Sequence, residues 1–501
     1  MAMMNINEFF DEYAMRLYEN SNRDAAPELK DLVSLEQYKA LLHPVYELVK
    51  DGEFLSIDEA RHYLFAQSGL TEKATKFILQ DKMAPGAVFT YGTPIYRETV
   101  MLGNRQEVDY NDNHELVPAV EPMSENTIFD LASVTKLFTS TSIYMLVQSG
   151  QLELDQPITK YAPQFKNLSN VTVRDLLTFQ VPLRTNGRIE NADNAKDAES
   201  ILFDIEVNPD FKFGMRPYTD MGAMVLKYVI EAVSHQPYME FLNENIIDEL
   251  GMKDTGLMVP KLKLSRTVNN NFDYQIKNGE LVLNTSVPKG VTYDPKARML
   301  EARAGLSGHA GLKTTVEDMA VFARALMNKE ILEQQYLDQL LTNATGQKYT
   351  VKNDNNEDEV KYIQYLGSLC YSKHPLEGSS EVRHTLSSKA FASAGFNGTQ
   401  VTIDYVNKVY FAMGAGRVHN RYIMSDGSLR YTPVSTPENP NLIEVAGQEV
   451  INASKFAWDR DGAIVHPSID LALQYACLEA VYQYYAPEEL EQGCSEKLYR
   501  F

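Results

Sequence analysis

Chemistry concentrates in one stretch of this chain, Ser133-Val134-Thr135-Lys136, which runs directly into Leu137-Phe138 and a helix-like segment continuing to Val147. The spacing places a serine at a helix start and a lysine three residues on, close to one turn, so both side chains point to the same side. A lysine amine there takes a serine proton, provided burial or a second cation lowers its pKa. The helix N-terminus adds positive potential where an alkoxide forms. A second match to the spacing, Ser286-Val287-Pro288-Lys289, is followed by Gly290. Pro288 opposes a helix interior, so that match reads as a turn. The context of Ser133 is different. Thr127-Ile128-Phe129-Asp130-Leu131-Ala132 ahead of it is mostly apolar or small, and the segment behind it is apolar on several faces, as a buried central helix should be.

Three further segments offer partners. Pro217-Tyr218-Thr219-Asp220 precedes a strong helical pattern. A phenol there can relay a proton if a lysine cation stabilises its phenolate. The same residues also read as a core tyrosine and an Asp N-cap. Tyr110-Asn111-Asp112 and Tyr405-Val406-Asn407 share the spacing and read as turns. Ala392-Ser393-Ala394-Gly395-Phe396-Asn397-Gly398-Thr399 leads into a strand pattern. Its small residues allow close backbone approach, so its N–H groups could complete an oxyanion hole with that of Ser133; a glycine bulge is the plainer reading. In Gly305-Leu306-Ser307-Gly308-His309-Ala310-Gly311-Leu312, His309 reads as a hydrogen-bonded loop histidine rather than a base.

These residues need elements to hold them. The 501 residues suggest two or three domains. Residues 1–82 read as a helical extension. Ala87–Gly92 and Glu98–Gly103 read as a strand pair, residues about 150–330 as mostly helical, and 345–385 as an exposed polar excursion. Strands return at Thr399–Asp404 and Val409–Met413, joined by Tyr405–Lys408. Ser468–Tyr485 reads as an amphipathic helix. Strands, helices, then strands again suggest an α+β sheet domain with a helical part inserted in sequence, over residues 83–485, with 486–501 as a tail.

Composition narrows the function classes. Apolar residues make up 44% and charged residues 23%, ordinary for a globular protein. A formal net charge of −21 argues against nucleic acid and anionic membrane as partners. The three cysteines, Cys370, Cys477 and Cys494, form neither a disulfide framework nor a metal spacing. The nine histidines show no metal-binding cluster, so neither metal nor other cofactor is expected. No signal peptide or membrane-length apolar run is evident, and a cytoplasmic location is expected.

The order of these motifs resembles the serine hydrolase family that includes class C β-lactamases, D-alanyl-D-alanine carboxypeptidases and related esterases. The similar stretches are Ser133–Lys136, Val171–Thr178, Tyr218-Thr219-Asp220, Leu250–Gly256, Gly308–Leu312 and Ala394–Thr399, within residues about 83–425. The resemblance implies a β-lactamase/transpeptidase-like fold: an antiparallel sheet flanked by helices, plus an all-helical domain, with the cleft between them. It implies Ser133 as acylated nucleophile, Lys136 as proton acceptor, Tyr218 as relay to the leaving group, and the backbone N–H groups of Ser133 and Phe396 as oxyanion hole. Asp220, Ser393, Ala394 and Gly395 would then line the substrate site.

Three departures from the family pattern bear on the substrate. Ser393-Ala394-Gly395 replaces the usual Lys or His, then Thr or Ser, then Gly, and so lacks a cation that holds a substrate carboxylate. Asp220 stands where Asn is common, and its charge should repel acidic substrates. Phe179-Gln180-Val181-Pro182-Leu183 replaces a His-Thr-Ser-Gly-Leu run. A desolvated charge-assisted contact contributes roughly 1.5–3 kcal/mol, so its loss matters. The expectation is an esterase or amidase acting on a small-molecule ester or amide without the penicillin-type carboxylate. Acyl transfer to an alcohol, action on β-lactams or D-alanyl peptides, and a non-catalytic binding role on the same fold are the alternatives.

Overall fold

The computed structural model describes residues 70–80, 84–92, 97–277, 280–353, 355–374, 381–382, 388–405, 409–423 and 429–431, with Ser34 and Glu36. Most of the expected N-terminal extension, the helix at Ser468–Tyr485, the tail, Cys477 and Cys494 lie outside the described residues. Leu70–Gln80 is helical.

β1 (Gly86–Gly92), β2 (Arg97–Tyr110) and β3 (Leu116–Pro122) form an antiparallel meander. β1 is buried along its whole length, as a strand covered on both faces must be. β2 runs well past the expected Gly103. Its polar continuation pairs with β3 through two register shifts, and only Gln106 and Val108 are buried, so hydrophobicity gave no sign of it.

Short ladders follow: β4 (Ile128–Asp130), β5 (Leu183–Arg184) with β6 (Glu206–Val207), β7 (Asp273–Lys277) with β8 (Glu280–Asn284), β9 (Lys313–Thr315) with β4, and β10 (Lys348–Lys352) with β11 (Asp358–Tyr362). The stretch expected to be mostly helical is therefore interrupted by strands. Tyr274 and Ile276, then Leu281 and Leu283, alternate at the period of a strand. The polar excursion is an exposed hairpin at β10–β11, whereas Leu366 and Ser368–Ser372 are buried again.

The chain then returns to the main sheet with β12 (Tyr371–Ser372), β13 (Ala390–Gly395), β14 (Thr399–Asp404) and β15 (Val409–Ala415). The seven-stranded order is β12-β13-β14-β15-β1-β2-β3, with antiparallel neighbours throughout. Ser393-Ala394-Gly395 is itself the end of β13, and Phe396-Asn397-Gly398 forms the turn into β14.

Five helices position the site: α1 (Thr135–Gln148), α2 (Val173–Leu177), α3 (Met221–Ser234), α4 (Pro295–Ala304) and α5 (Val316–Met327). α1 is buried from Thr135 through Tyr144. Two of its buried hydroxyls find carbonyls: Ser142 donates to the Phe138 carbonyl one turn back at 2.8 Å, and Thr139 donates to the Gly308 carbonyl of a distant loop at 2.6 Å. α5 is capped by Thr315, which accepts from the Asp318 N–H, and Phe322 stacks on Phe138 of α1 with centroids 4.0 Å apart. Gly308 lets its loop press on α3, since a Cβ there would sit 2.1 Å from the Ala223 carbonyl oxygen. Among the described residues no helix is long and apolar enough to cross a membrane.

Candidate active site

Ser133 is set by a constrained turn between β4 and α1. β4 pairs with β9 in the register Phe129–Thr314 and Asp130–Lys313, and the Leu131 N–H donates to the Leu312 carbonyl at 2.9 Å. Ala132 then adopts φ +45°, a left-handed conformation that costs a non-glycine residue energy. Asp130 holds it there. One carboxylate oxygen accepts from the Ala132 N–H at 2.9 Å and the other from the Tyr293 N–H at 2.7 Å. Residues Ala132–Val134 form a 3₁₀ turn that opens into α1.

Lys136 lies fully buried, with Nζ 2.9 Å from Ser133 Oγ. It also donates to Asp220 Oδ1 at 2.8 Å and to the His309 carbonyl at 3.3 Å. Asp220 occupies the N-cap position of α3, yet its side chain does not cap the helix. Its second oxygen, Oδ2, accepts from Lys296 Nζ at 2.6 Å. One carboxylate thus joins two ammonium groups. Lys296 lies on the first turn of α4, behind the capping Asp294 and Pro295. His309 is buried; its Nδ1 meets Ser307 Oγ at 2.8 Å and its Nε2 meets Asp294 Oδ1 at 3.0 Å. The ligand atoms of Asp220, Asp294 and His309 lie within 4.8 Å of one another. Two lysine ammonium groups take the place a cation would fill beside Asp220, so we read this as an ion-pair network.

The electrostatics follow from burial and pairing. Burial pushes the Lys136 ammonium towards losing its proton, but the Asp220 carboxylate and the Tyr218 phenol overcome this, and its pKa is raised. This corrects the expectation of a lowered value: the second cation is present, but a carboxylate stands in direct contact. Burial likewise pushes the Asp220 carboxyl up, and Lys136, His309 and Lys296 together hold it well below the usual range. With both oxygens engaged by lysines, Asp220 presents no free negative charge to repel acidic substrates.

Tyr218 stands in a stack. Its ring stacks with Phe179 (5.3 Å) and with Tyr371 (5.8 Å), with Lys136 Nζ 5.0 Å from the ring centroid and the Arg216 guanidinium also at 5.0 Å. Phe179 belongs to the run that replaces the family's usual His-Thr-Ser-Gly-Leu, and here it supplies a wall of the tyrosine's slot.

The end of β13 presses onto the serine turn. A Cβ on Gly395 would sit 2.3 Å from the Leu131 carbonyl oxygen. Thr399 donates to that same carbonyl at 2.8 Å, and Asn397 Nδ2 donates to the Asp130 carbonyl at 3.3 Å. Phe396 thereby sits between residues that hold the turn leading into Ser133. Its ring is partly exposed, stacked on Tyr293 at 6.1 Å, and its carbonyl accepts from Arg417 Nη1 at 2.7 Å. Of Ser393, Ala394 and Gly395 only Ala394 is partly exposed. The second Ser-x-x-K match is a turn: Lys289 reaches Glu121 and Gln106, and Ser286 bonds Asn284.

Residues 81–419, more than half of the chain, match the family model described as Beta-lactamase. The chain belongs to the Beta-lactamase family. Among its relatives, a protein of Escherichia coli K12 with a provisional D-alanyl-D-alanine carboxypeptidase name is 26% identical over 341 residues, covering 64% of this chain and 73% of that protein. The N-acetylmuramyl-L-alanine amidase of Bacillus subtilis strain 168 is 24% identical over 366 residues, covering 66% and 75%. A mutant simvastatin synthase from Aspergillus terreus shares the fold, with a TM-score of 0.50 at 15% identity over 78% of this chain and 96% of that one. This member of the Beta-lactamase family thus has the β-lactamase/transpeptidase-like fold, and its family is one of serine hydrolases.

Sequence reasoning missed Lys296, Asp294 and Arg417 in this Beta-lactamase-family site. Asp294-Pro295 carries a legible helix-start signal, but nothing local connects it to Asp220, 76 residues away from Lys296.

Proposed function

We propose that the chain is a serine hydrolase, an esterase or amidase that works through an acyl-enzyme on Ser133. The observation that carries this reading is the 2.9 Å contact between the buried Lys136 ammonium and the Ser133 hydroxyl. In the proposed reaction Ser133 Oγ attacks the substrate carbonyl as Lys136, in its neutral form, takes the hydroxyl proton. The N–H groups of Ser133 and Phe396 receive the developing oxyanion. Tyr218, within reach of the Lys136 charge, passes a proton to the leaving alcohol or amine, and water then releases the acyl group.

Ser393 at the usual cation position favours a small-molecule ester or amide without a penicillin-type carboxylate. The names of the Escherichia coli and Bacillus subtilis relatives support including D-amino-acyl amides among the candidates. A non-catalytic binding role is favoured by one observation, the direct Asp220 contact that keeps Lys136 protonated.

The test is a panel of p-nitrophenyl esters, D-amino-acyl amides and a chromogenic cephalosporin on wild type and Ser133→Ala, together with intact-mass analysis after a fluorophosphonate. Ester or amide turnover lost in Ser133→Ala, with a single adduct on Ser133, is expected. A folded wild type with no adduct, or turnover equal in both proteins, overturns the reading.

A further inference from the structure

A lysine that must accept a proton here touches a carboxylate that favours its charged form. Lys136 Nζ and Asp220 Oδ1 are 2.8 Å apart in a fully buried setting around the lysine. Ser393 stands where the family usually carries a cation. A cation nevertheless reaches the site from a different element. Lys296, on the first turn of α4, places Nζ 2.6 Å from Asp220 Oδ2 and 4.0 Å from Asp294 Oδ2.

The charged and titratable groups around the pair can be named. Facing Lys136 are Tyr218 and Asp220 ahead of α3, with the His309 carbonyl from the loop before β9; the His309 imidazole itself meets Asp294. Facing Lys296 are Asp220, Asp294 ahead of α4, and Glu190 at longer range. With Lys296 in place, the Asp220 carboxylate is shared between two ammonium groups. Without it, Lys136 would be the one ammonium group in contact with Asp220.

We propose that Lys296 is a positioning residue for the Ser133 reaction: by engaging the far oxygen of Asp220 and setting a second cation across it, Lys296 lets Lys136 release its proton and serve as base. The proposal deepens the serine hydrolase reading and rests on it. The physical content is simple. A like charge near a lysine favours its neutral form, and a carboxylate shared between two cations stabilises each less than one bound to a single cation. This cation from α4 is engaged with Asp220 and does not stand in for the third-motif cation that holds a substrate carboxylate.

The experiment follows fluorophosphonate labelling of Ser133 by intact mass as a function of pH. In this step the Oγ–P bond forms, fluoride leaves with the P–F electron pair, and the hydroxyl proton passes to neutral Lys136. The midpoint of the rate profile therefore reports the group that must lose its proton. Lys296→Gln and Lys296→Met are expected to move the midpoint up by about one pH unit, and to slow labelling near pH 7 about tenfold. Lys296→Arg keeps the cation and stays with wild type. In an Asp220→Asn background, Lys296→Gln is expected to move the midpoint by less than half as much, because the carboxylate it acts through is gone. A folded Lys296→Gln or Lys296→Met with a wild-type or lower midpoint overturns the proposal. Wild type unlabelled at every pH is a different result, and it overturns the assignment of Ser133 itself.

Discussion

Thr399 donates its buried hydroxyl to the Leu131 carbonyl at 2.8 Å, so the turn that carries Phe396 and the turn that carries Ser133 are held as one piece. Gly395 completes the junction, since only a residue without a side chain allows the strand so near to Leu131. On the proposed mechanism this junction holds the N–H groups of Ser133 and Phe396 relative to each other before substrate arrives, as oxyanion stabilisation requires.

Thr399→Val removes the hydroxyl with little change of shape. The lost hydrogen bond should cost about 1 kcal/mol of stability, read from denaturant unfolding. Labelling of Ser133 should slow by about tenfold, because the oxyanion donors are no longer held in register. Unchanged labelling would show that the junction serves folding alone.

Tyr218→Phe keeps the ring stacked with Phe179 and Tyr371 and deletes only the hydroxyl. Thermal unfolding should stay at the wild-type midpoint while ester or amide turnover falls about 10²–10³-fold, the range of a lost acid–base group. A variant with wild-type turnover would remove Tyr218 from the proton path.

Asp294→Asn tests the ion-pair network through stability. Burial pushes the Asp294 carboxyl up, but His309, with its hydrogen bond, and Lys296 hold it well below the usual range. A carboxyl depressed in the fold stabilises above its unfolded pKa, near about 4, and that contribution is lost as pH falls through the folded value. Asparagine keeps the helix cap to the Ala297 N–H. The variant should therefore be less stable by about 1.5 kcal/mol at neutral pH. In urea titrations at successively lower pH the two proteins should converge, and parallel curves would exclude the charge as the cause.

What the sequence disclosed was local or ordered along the chain. Ser133 and Lys136 were legible because one helical turn separates them. Tyr218 entered as a phenol just ahead of a helical pattern, and Phe396 through the order of motifs. Lys296 was not legible, because its partner comes from a distant element and the only nearby signal was a helix start. Asp220 was visible as a charge and a cap, but its outcome was not. One buried and one partly buried ammonium group compete for a carboxylate far more strongly than a backbone N–H does. The extension of β2 was hidden because its pairing with β3 needs few apolar residues. The strands at β7–β8 lay within a stretch whose helices dominate the pattern.

The complete burial of Lys136 has a consequence for isotopes. On the proposed mechanism the hydrogen lifted from Ser133 passes first to a group that itself touches no bulk water. It is handed inward, across the phenol, to the departing group. A single turnover begun in protein equilibrated with deuterium oxide and diluted rapidly into ordinary water would be slowed by the protein's own deuterium, while later turnovers run at the ordinary rate.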